Sequence, residues 1–405
     1  MVFLLISDLK KGCRHPKMEI LFISHKFPPA IGGMEKQSFE LINGMSSLTP
    51  VHQIVYQGNE SILRFFFLLN KRILAVLDRH PNVRLIHFND GLVASLSLRH
   101  RGYDHLKKVV TIHGLDVVFP LRHFQKKIIP QFNRFDKIIA VSQATKQAAI
   151  DRGIDPNKID VIANGVDHHL VMDPHVAIDV ILKKYKIDKD ANKLIIALGR
   201  PVKRKGISWF IKHVLPQLPA DYKLILIGPF TMTATWKEKL LYALPQPVRH
   251  LVFLFLGFPS DQKVIRQYLR NPDYEDRLQH IGKIPLVDVQ SLLCHSGLFI
   301  MPNIKVDGDM EGFGLVCLEA SICGATVFAS DLEGISDAIV HQKNGFLLPT
   351  GEADRWISEI RDALDDPLLL QNRSKEFQAY SLQHYSWEKM SKAYFSLFQD
   401  IIQCG

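Results

Sequence analysis

Residues Met310–Ala325 read MEGFGLVCLEASICGA, in which two carboxylates, Glu311 and Glu319, bracket a Gly-Phe-Gly turn and an apolar run. The segment before it, SGLFIMPN (Ser296–Asn303), and the segment after it, TVFAS (Thr326–Ser330), are short apolar runs of the kind that form buried parallel strands. A stretch between two such strands is a loop followed by a helix, here expected to start near Gly314. Gly312 and Gly314 let the backbone approach a ligand closely, and the helix start leaves N–H groups unpaired at its positive end. Oxygen-rich ligands suit such a seat. Glu311 lies just before the helix and Glu319 more than a turn inside it, so the two carboxylates reach different parts of one extended ligand. A carboxylate accepts hydrogen bonds from vicinal hydroxyls, which sugars and riboses carry.

Working outward, KLIIALGR (Lys193–Arg200), YKLILIG (Tyr222–Gly228), HLVFLFLG (His250–Gly257) and QHIGKI (Gln279–Ile284) read as further strands of the same sheet. The turn PVKRKG after the first of them puts Arg200 and Lys205 at the mouth of the next helix. Upstream, EILFIS (Glu19–Ser24), HQIVYQ (His52–Gln57), RLIHFN (Arg84–Asn89), KVVTIHG (Lys108–Gly114), KIIAVS (Lys137–Ser142) and KIDVIANG (Lys158–Gly165) alternate with helical segments. That alternation predicts a second parallel, doubly wound sheet whose ligands bind at the carboxyl ends of its strands. His113 sits at one such end. The loop after the first strand, His25–Gln37, carries Gly32 and Gly33 ahead of a helix. Neither first turn reads GxGxxG, which argues against an NAD-dependent oxidoreductase.

A chain of 405 residues, 47% hydrophobic and 22% charged, suits two globular domains. No apolar run reaches the roughly 20 residues needed to span a bilayer. Residues 1–17 are expected to be an extension or a misassigned start, and the segment lacks the long apolar core of an export signal. Five scattered cysteines without CxxC pairs point to a reducing, cytoplasmic setting, and no metal site is expected. Of the net charge of +9, residues 1–150 hold 21 Lys and Arg against 10 Asp and Glu, while the remainder is slightly acidic. Basic surfaces attract anionic lipid, phosphorylated substrates or nucleic acid, and no nucleic-acid module appears. Two basic segments, Ser61–Leu77 and Leu121–Phe135, interleave bases with Phe and Leu. They suit either an ordinary core face or an interfacial surface on an anionic membrane.

The Glu-x7-Glu pattern inside EGFGLVCLEA resembles the signature of glycosyltransferase family 4, retaining enzymes with the two-domain GT-B fold. The likeness covers nearly the whole chain from Met18. LGRPVKRKG resembles the family's Arg-x4-Lys pair for the nucleotide diphosphate, which gives Arg200 and Lys205 the leaving group. The TIHG context of His113 resembles that of the family's histidine beside the transferred sugar. The Gly32–Gly33 loop resembles one that faces the acceptor and the diphosphate. The resemblance further implies that Glu311 and the N–H groups of Gly312, Phe313, Gly314 and Leu315 orient the sugar, and that Glu319 holds the ribose. Where many members carry a GxGP turn, this chain has Gly228, Pro229, Phe230 and an insertion to about Val248.

The expected layout is two Rossmann-like α/β domains facing a cleft, 18–185 and 186–385. A helix over 386–405 crosses back to the first domain, with Ser386 as its cap. The implied reaction is transfer of a hexose from a UDP- or GDP-sugar to an acceptor hydroxyl with retention, needing neither metal nor cofactor. The acceptor would be a carbohydrate or lipid-linked molecule of lipopolysaccharide, exopolysaccharide or glycolipid synthesis, met at the cytoplasmic face of the membrane. The rival readings are a GT-B epimerase or phosphorylase, and a non-catalytic sugar-binding or scaffold protein.

Overall fold

The computed structural model describes residues 18–170 and 178–403. The expected extension over 1–17 and Pro174 of the linker region lie outside the described residues.

The first half alternates strand and helix: β1 (Glu19–Ser24), α1 (Gly33–Ser46), β2 (Val51–Val55), α2 (Ile62–Arg79), β3 (Val83–Phe88) and α3 (Gly91–Ser97). It continues with β4 (Lys107–Ile112), α4 (Leu115–Val118), β5 (Lys137–Ala140), α5 (Gln143–Ile150) and β6 (Ile159–Val161). These six strands form one parallel sheet in the order β2-β1-β3-β4-β5-β6. Ile20, Leu21, Phe22 and Ile23 of β1 are all fully buried, because a parallel strand covered by helices on both faces cannot alternate apolar with polar.

The second half starts with α6 (Ile178–Lys184), β7 (Leu194–Leu198), α7 (Ile207–His213) and β8 (Lys223–Ile227). An insertion follows with α8 (Trp236–Tyr242), α9 (Gln246–Leu256) and α10 (Gln262–Leu269) before β9 (Leu278–Gly282). Then come α11 (Leu286–His295), β10 (Leu298–Met301), α12 (Leu315–Ile322), β11 (Thr326–Ser330), α13 (Ile335–Ala338) and β12 (Phe346–Leu348). The strand order is β12-β11-β10-β7-β8-β9, again all parallel. Three helices close the chain: α14 (Ala353–Asp365), α15 (Pro367–His384) and α16 (Trp387–Gln403).

One expected strand is a helix. HLVFLFLG forms most of α9, and β9 takes the sheet edge beside β8. Pro247 at the helix start presets the first turn, and Gly257 in the left-handed region ends it. A continuous apolar run fits a buried strand and an apolar helix equally well, so periodicity alone could not decide.

α16 packs on the first half. The Ser386 hydroxyl accepts the Lys389 N–H at 3.1 Å, and the Tyr394 hydroxyl lies 3.1 Å from Thr111 Oγ1 on β4. On the same face, His87 of β3 is fully buried, 2.8 Å from that threonine oxygen, and burial pushes its imidazole down to about 3. It stays neutral, because Asp90 offsets too little of the cost of burying its charge.

Candidate active site

In the first sheet the strand order reverses between β1 and β3, and in the second between β7 and β10. Ligands of such sheets bind outside the carboxyl ends of the strands at these switch points. The expected residues all follow those ends: Gly32 and Gly33 after β1, His113 after β4, Arg200 and Lys205 after β7, and Glu311 after β10.

The second half supplies charge. Glu311 Oε2 lies 3.2 Å from Arg204 Nη2, and the Asn303 amide donates toward it at 3.5 Å. Burial works against the Glu311 charge, but Arg204 and then Lys205 more than offset it, so its carboxyl is held below the ordinary value. Burial likewise opposes charge on Arg204, and Glu311, Asp309 and Glu333 overcome it. Lys205 differs. Its Nζ donates to Leu198 O at 3.3 Å, and burial, with Arg204 and Arg200 nearby, pulls its ammonium below the ordinary value although Glu311 opposes this. Glu333 Oε2 accepts the Glu311 N–H at 2.6 Å, and burial pushes its carboxyl up to about 7 despite that bond. Arg200 stands exposed at the rim, with Nη1 donating to Gly257 O at 3.0 Å.

Gly312 could be no other residue without a shift of backbone. A Cβ there would fall 2.0 Å from the His113 carbonyl oxygen, so this loop touches the first half directly. Gly314, at φ +79°, caps α12 in the region that favours glycine. The side chains of Phe313 and Leu315 are buried in the core, so these two residues can offer a ligand only their backbone. Glu319 points across the cleft, paired with Lys36 of α1 at 2.7 Å, both partly exposed.

The first half supplies a braced wall. His113 Nε2 lies 2.9 Å from the Asn89 carbonyl oxygen; a carbonyl only accepts, so Nε2 carries a proton there. The His113 N–H donates to Asp116 Oδ1 at 2.8 Å, and the Gly91 N–H to Asp116 Oδ2 at 2.9 Å. His25 Nδ1 lies 2.8 Å from Asp90 Oδ2, while Asp90 Oδ1 caps α3 through the Leu92 and Val93 N–H groups. A Cβ on Gly33 would meet nothing within 4 Å, so that loop opens on free space.

Sequence reasoning did not single out Arg204, Glu333, Asn303 or Lys36. For Arg204 a signal existed in the cation triplet Lys203–Arg204–Lys205. Which of three neighbours meets Glu311 is decided by the 3-10 turn they form. Glu333 lies 22 residues beyond Glu311 and meets it only through the fold. Among the described residues Glu19, His52 and His80 gather possible metal donors, with His52 Nε2 already 2.8 Å from Glu19. They belong to β1, β2 and the end of α2, away from the Glu311 cluster.

The profile of the group 1 glycosyl transferases matches residues 178–381, half of the chain, and that of glycosyltransferase family 4 matches residues 11–170. The chain belongs to the group 1 glycosyl transferases. It is 24% identical to the putative colanic acid biosynthesis glycosyltransferase WcaL of Salmonella typhimurium over 69% of this chain and 61% of that protein. It is 23% identical to the amylovoran biosynthesis glycosyltransferase AmsK of Erwinia amylovora, over 73% of this chain and 63% of that one. The chain thus spans about three fifths of the length of the curated relatives it matches. The crystal structure of HepE from Anabaena, in complex with UDP, superimposes with a TM-score of 0.67 at 21% identity, covering 95% of this chain and 100% of that one. The GT-B fold, two parallel-sheet domains around a cleft, is shared.

Proposed function

We propose that this group 1 glycosyltransferase moves a hexose from a UDP- or GDP-sugar to an acceptor hydroxyl with retention, without a metal, in the assembly of a polysaccharide or glycolipid. The observation that carries this reading is the buried cluster of Arg204, Lys205 and Glu311 at the switch point of the second sheet, with Arg200 at its rim. In the reaction the bond from the sugar's anomeric carbon to the diphosphate oxygen breaks, and the electron pair leaves with the diphosphate. The acceptor oxygen bonds to the same carbon from the same face and passes its proton to the departing phosphate oxygen. Fixed cations aimed at that growing charge stabilise the transition state more than the ground state. Glu311, held charged, orients sugar hydroxyls together with the backbone of Gly312 to Leu315, and His113 lines the sugar side. Glu319 exchanges Lys36 for the ribose diol.

Two relatives named for exopolysaccharide synthesis and a structural neighbour solved with UDP support the donor and product classes. Among the described residues no helix is long and apolar enough to cross a membrane. One face of α2 is core, with Phe65, Leu69 and Ile73 buried, yet Leu63 and Phe67 are 77% and 88% exposed beside the exposed Arg64 and Lys71. That outer stripe suits peripheral binding to an anionic leaflet on the cytoplasmic side.

The experiment is a screen of purified protein against UDP- and GDP-sugars with candidate acceptors, reading nucleotide release and then the anomeric configuration of the product. Release coupled to an α-linked product from an α-donor is expected. An interconverted or phosphorylated sugar in place of a glycoside would favour an epimerase or phosphorylase.

A further inference from the structure

The β8–β9 insertion is where this chain departs from the expected glycine-rich turn, and it presents an apolar stripe to the outside. On α9, Val248, Leu251, Val252, Phe255 and Leu256 recur at i, i+3, i+4, i+7 and i+8, one face of a helix. Phe255 is 72% and Leu256 58% exposed. The helix is held by its other side: Leu254 is buried, Phe253 stacks on Phe258 at 4.4 Å, and Arg249 donates to Tyr242 O at 3.0 Å. On the stripe itself Leu251 and Val252 are half-buried, while Phe255 and Leu256 at its end stay largely exposed.

Facing it from the first half are Phe119 and Leu121, with the Phe119 ring 6.3 Å from that of Phe255. Together with Leu251, Val252 and Leu256 they enclose an open basin of about 290 Å³ whose lining side chains are all apolar. The basin adjoins the sugar cleft at three points. The Gly257 carbonyl that ends α9 takes the Arg200 guanidinium at 3.0 Å, and His250 lies 2.7 Å from Asp307 O on the loop leading to Glu311. Pro120, between Phe119 and Leu121, abuts Gly308 of the same loop so closely that a Cβ there would sit 2.5 Å from its ring. Beside the basin Leu121 is followed by the exposed Arg122, His123, Lys126 and Lys127, and residues 117–135 contain no Asp or Glu.

From this juxtaposition we infer that the basin holds the hydrocarbon chain of a phosphate-bearing lipid acceptor, with the cations of 122–127 on its phosphate and its sugar end in the cleft. The inference rests on the transferase reading and names the acceptor class for that site. A carbon-lined basin favours a chain over a free sugar, and the absence of carboxylates along the adjoining segment favours an anion over a neutral head. A greasy chain by itself would not need the cations, and a soluble phosphorylated sugar would leave Phe255 and Leu256 in water.

The test uses the full chain and calorimetric titration with butyl, octyl, decyl and dodecyl phosphate, each below its micelle concentration. Burial of each methylene raises affinity by up to roughly fourfold, so affinity should climb with chain length. Phe255→Asp and, separately, Leu256→Asn should flatten the climb and weaken dodecyl phosphate tenfold or more, with the thermal midpoint confirming that each variant is folded. Arg122→Ala with Lys126→Ala should weaken all four ligands and reduce the salt dependence. Affinity independent of chain length, or unchanged in both α9 variants, would overturn the inference and leave a basin that merely shuts when the halves close. Nucleotide release from the sugar-donor screen scores the transferase reading separately, since alkyl phosphate binding needs no turnover.

Discussion

The two switch points of the molecule are built from the same fold yet spend their buried polar groups differently. On the first sheet the charges brace one another and the backbone: Asp116 takes two N–H groups, Asp90 caps α3 beside His25, and His113 bonds to Asn89 O. On the second sheet Arg204, Lys205, Glu311 and Glu333 lean on each other. Both points keep buried polar atoms without a partner, Gln37 Nε2 and Asn89 Oδ1 on the first and Arg204 Nε and Asn303 Oδ1 on the second. Buried polar atoms are nearly always paired, so unsatisfied ones mark either strain or a place where a ligand belongs. The difference is therefore in charge: the first switch point holds its carboxylates on backbone N–H groups and a histidine, and the second pairs them with Arg204 and Lys205. That second, charged cluster is the seat proposed above for the donor's diphosphate.

The comparison breaks most severely if Glu311→Gln keeps near-normal turnover. An amide cannot give the charge-assisted bonds that steady the sugar, so turnover should be abolished while calorimetry shows donor affinity little changed. Next in size, Arg200→Ala and Lys205→Ala should each lower the rate by roughly 10²–10³, the range for removing one preorganised electrostatic donor. Glu319→Ala should mainly weaken nucleotide binding, by roughly tenfold to a hundredfold for a lost charged hydrogen bond, with a smaller effect on the rate constant at saturation.

A fourth prediction concerns pH and sharpens the contrast between the seat and the wall. Glu333 is raised from its ordinary 4.5 to about 7, so between these values the folded protein holds a proton that the unfolded chain has released. Its contribution therefore falls as pH rises through that window and levels off above about 7. Denaturation midpoints from pH 5 to 8 should decline less in Glu333→Gln than in the wild type. Equal slopes would mean that Glu333 ionises as an ordinary surface carboxyl.

Much of this was legible in the sequence, for reasons that also explain what was not. The strands flanking Met310–Ala325 could be read because parallel strands buried on both faces need uninterrupted apolar runs, as β10 and β11 have. The Gly-Phe-Gly turn signalled a close approach to a ligand, whereas the approach that the structure shows is of Gly312 to the His113 carbonyl of the other half. The same apolar-run logic misread α9, because the run was mistaken for a core strand when part of it faces outward. Arg204 and Glu333 stayed hidden because their meaning is pairwise. A cation is just a solvated charge until the fold puts it 3.2 Å from Glu311, and Glu333 is one loop acid among many until it takes the Glu311 N–H. Lys36 and Glu319 meet across two domains, a distance no local pattern encodes.

On the proposed mechanism the chain's own cations at the second switch point supply the charge the departing diphosphate needs. The most direct test is turnover of the sugar donor after exhaustive EDTA treatment, compared with the same protein given Mg2+ or Mn2+. Full activity in EDTA and no gain from added metal are expected. Strict dependence on the added ion would contradict that mechanism.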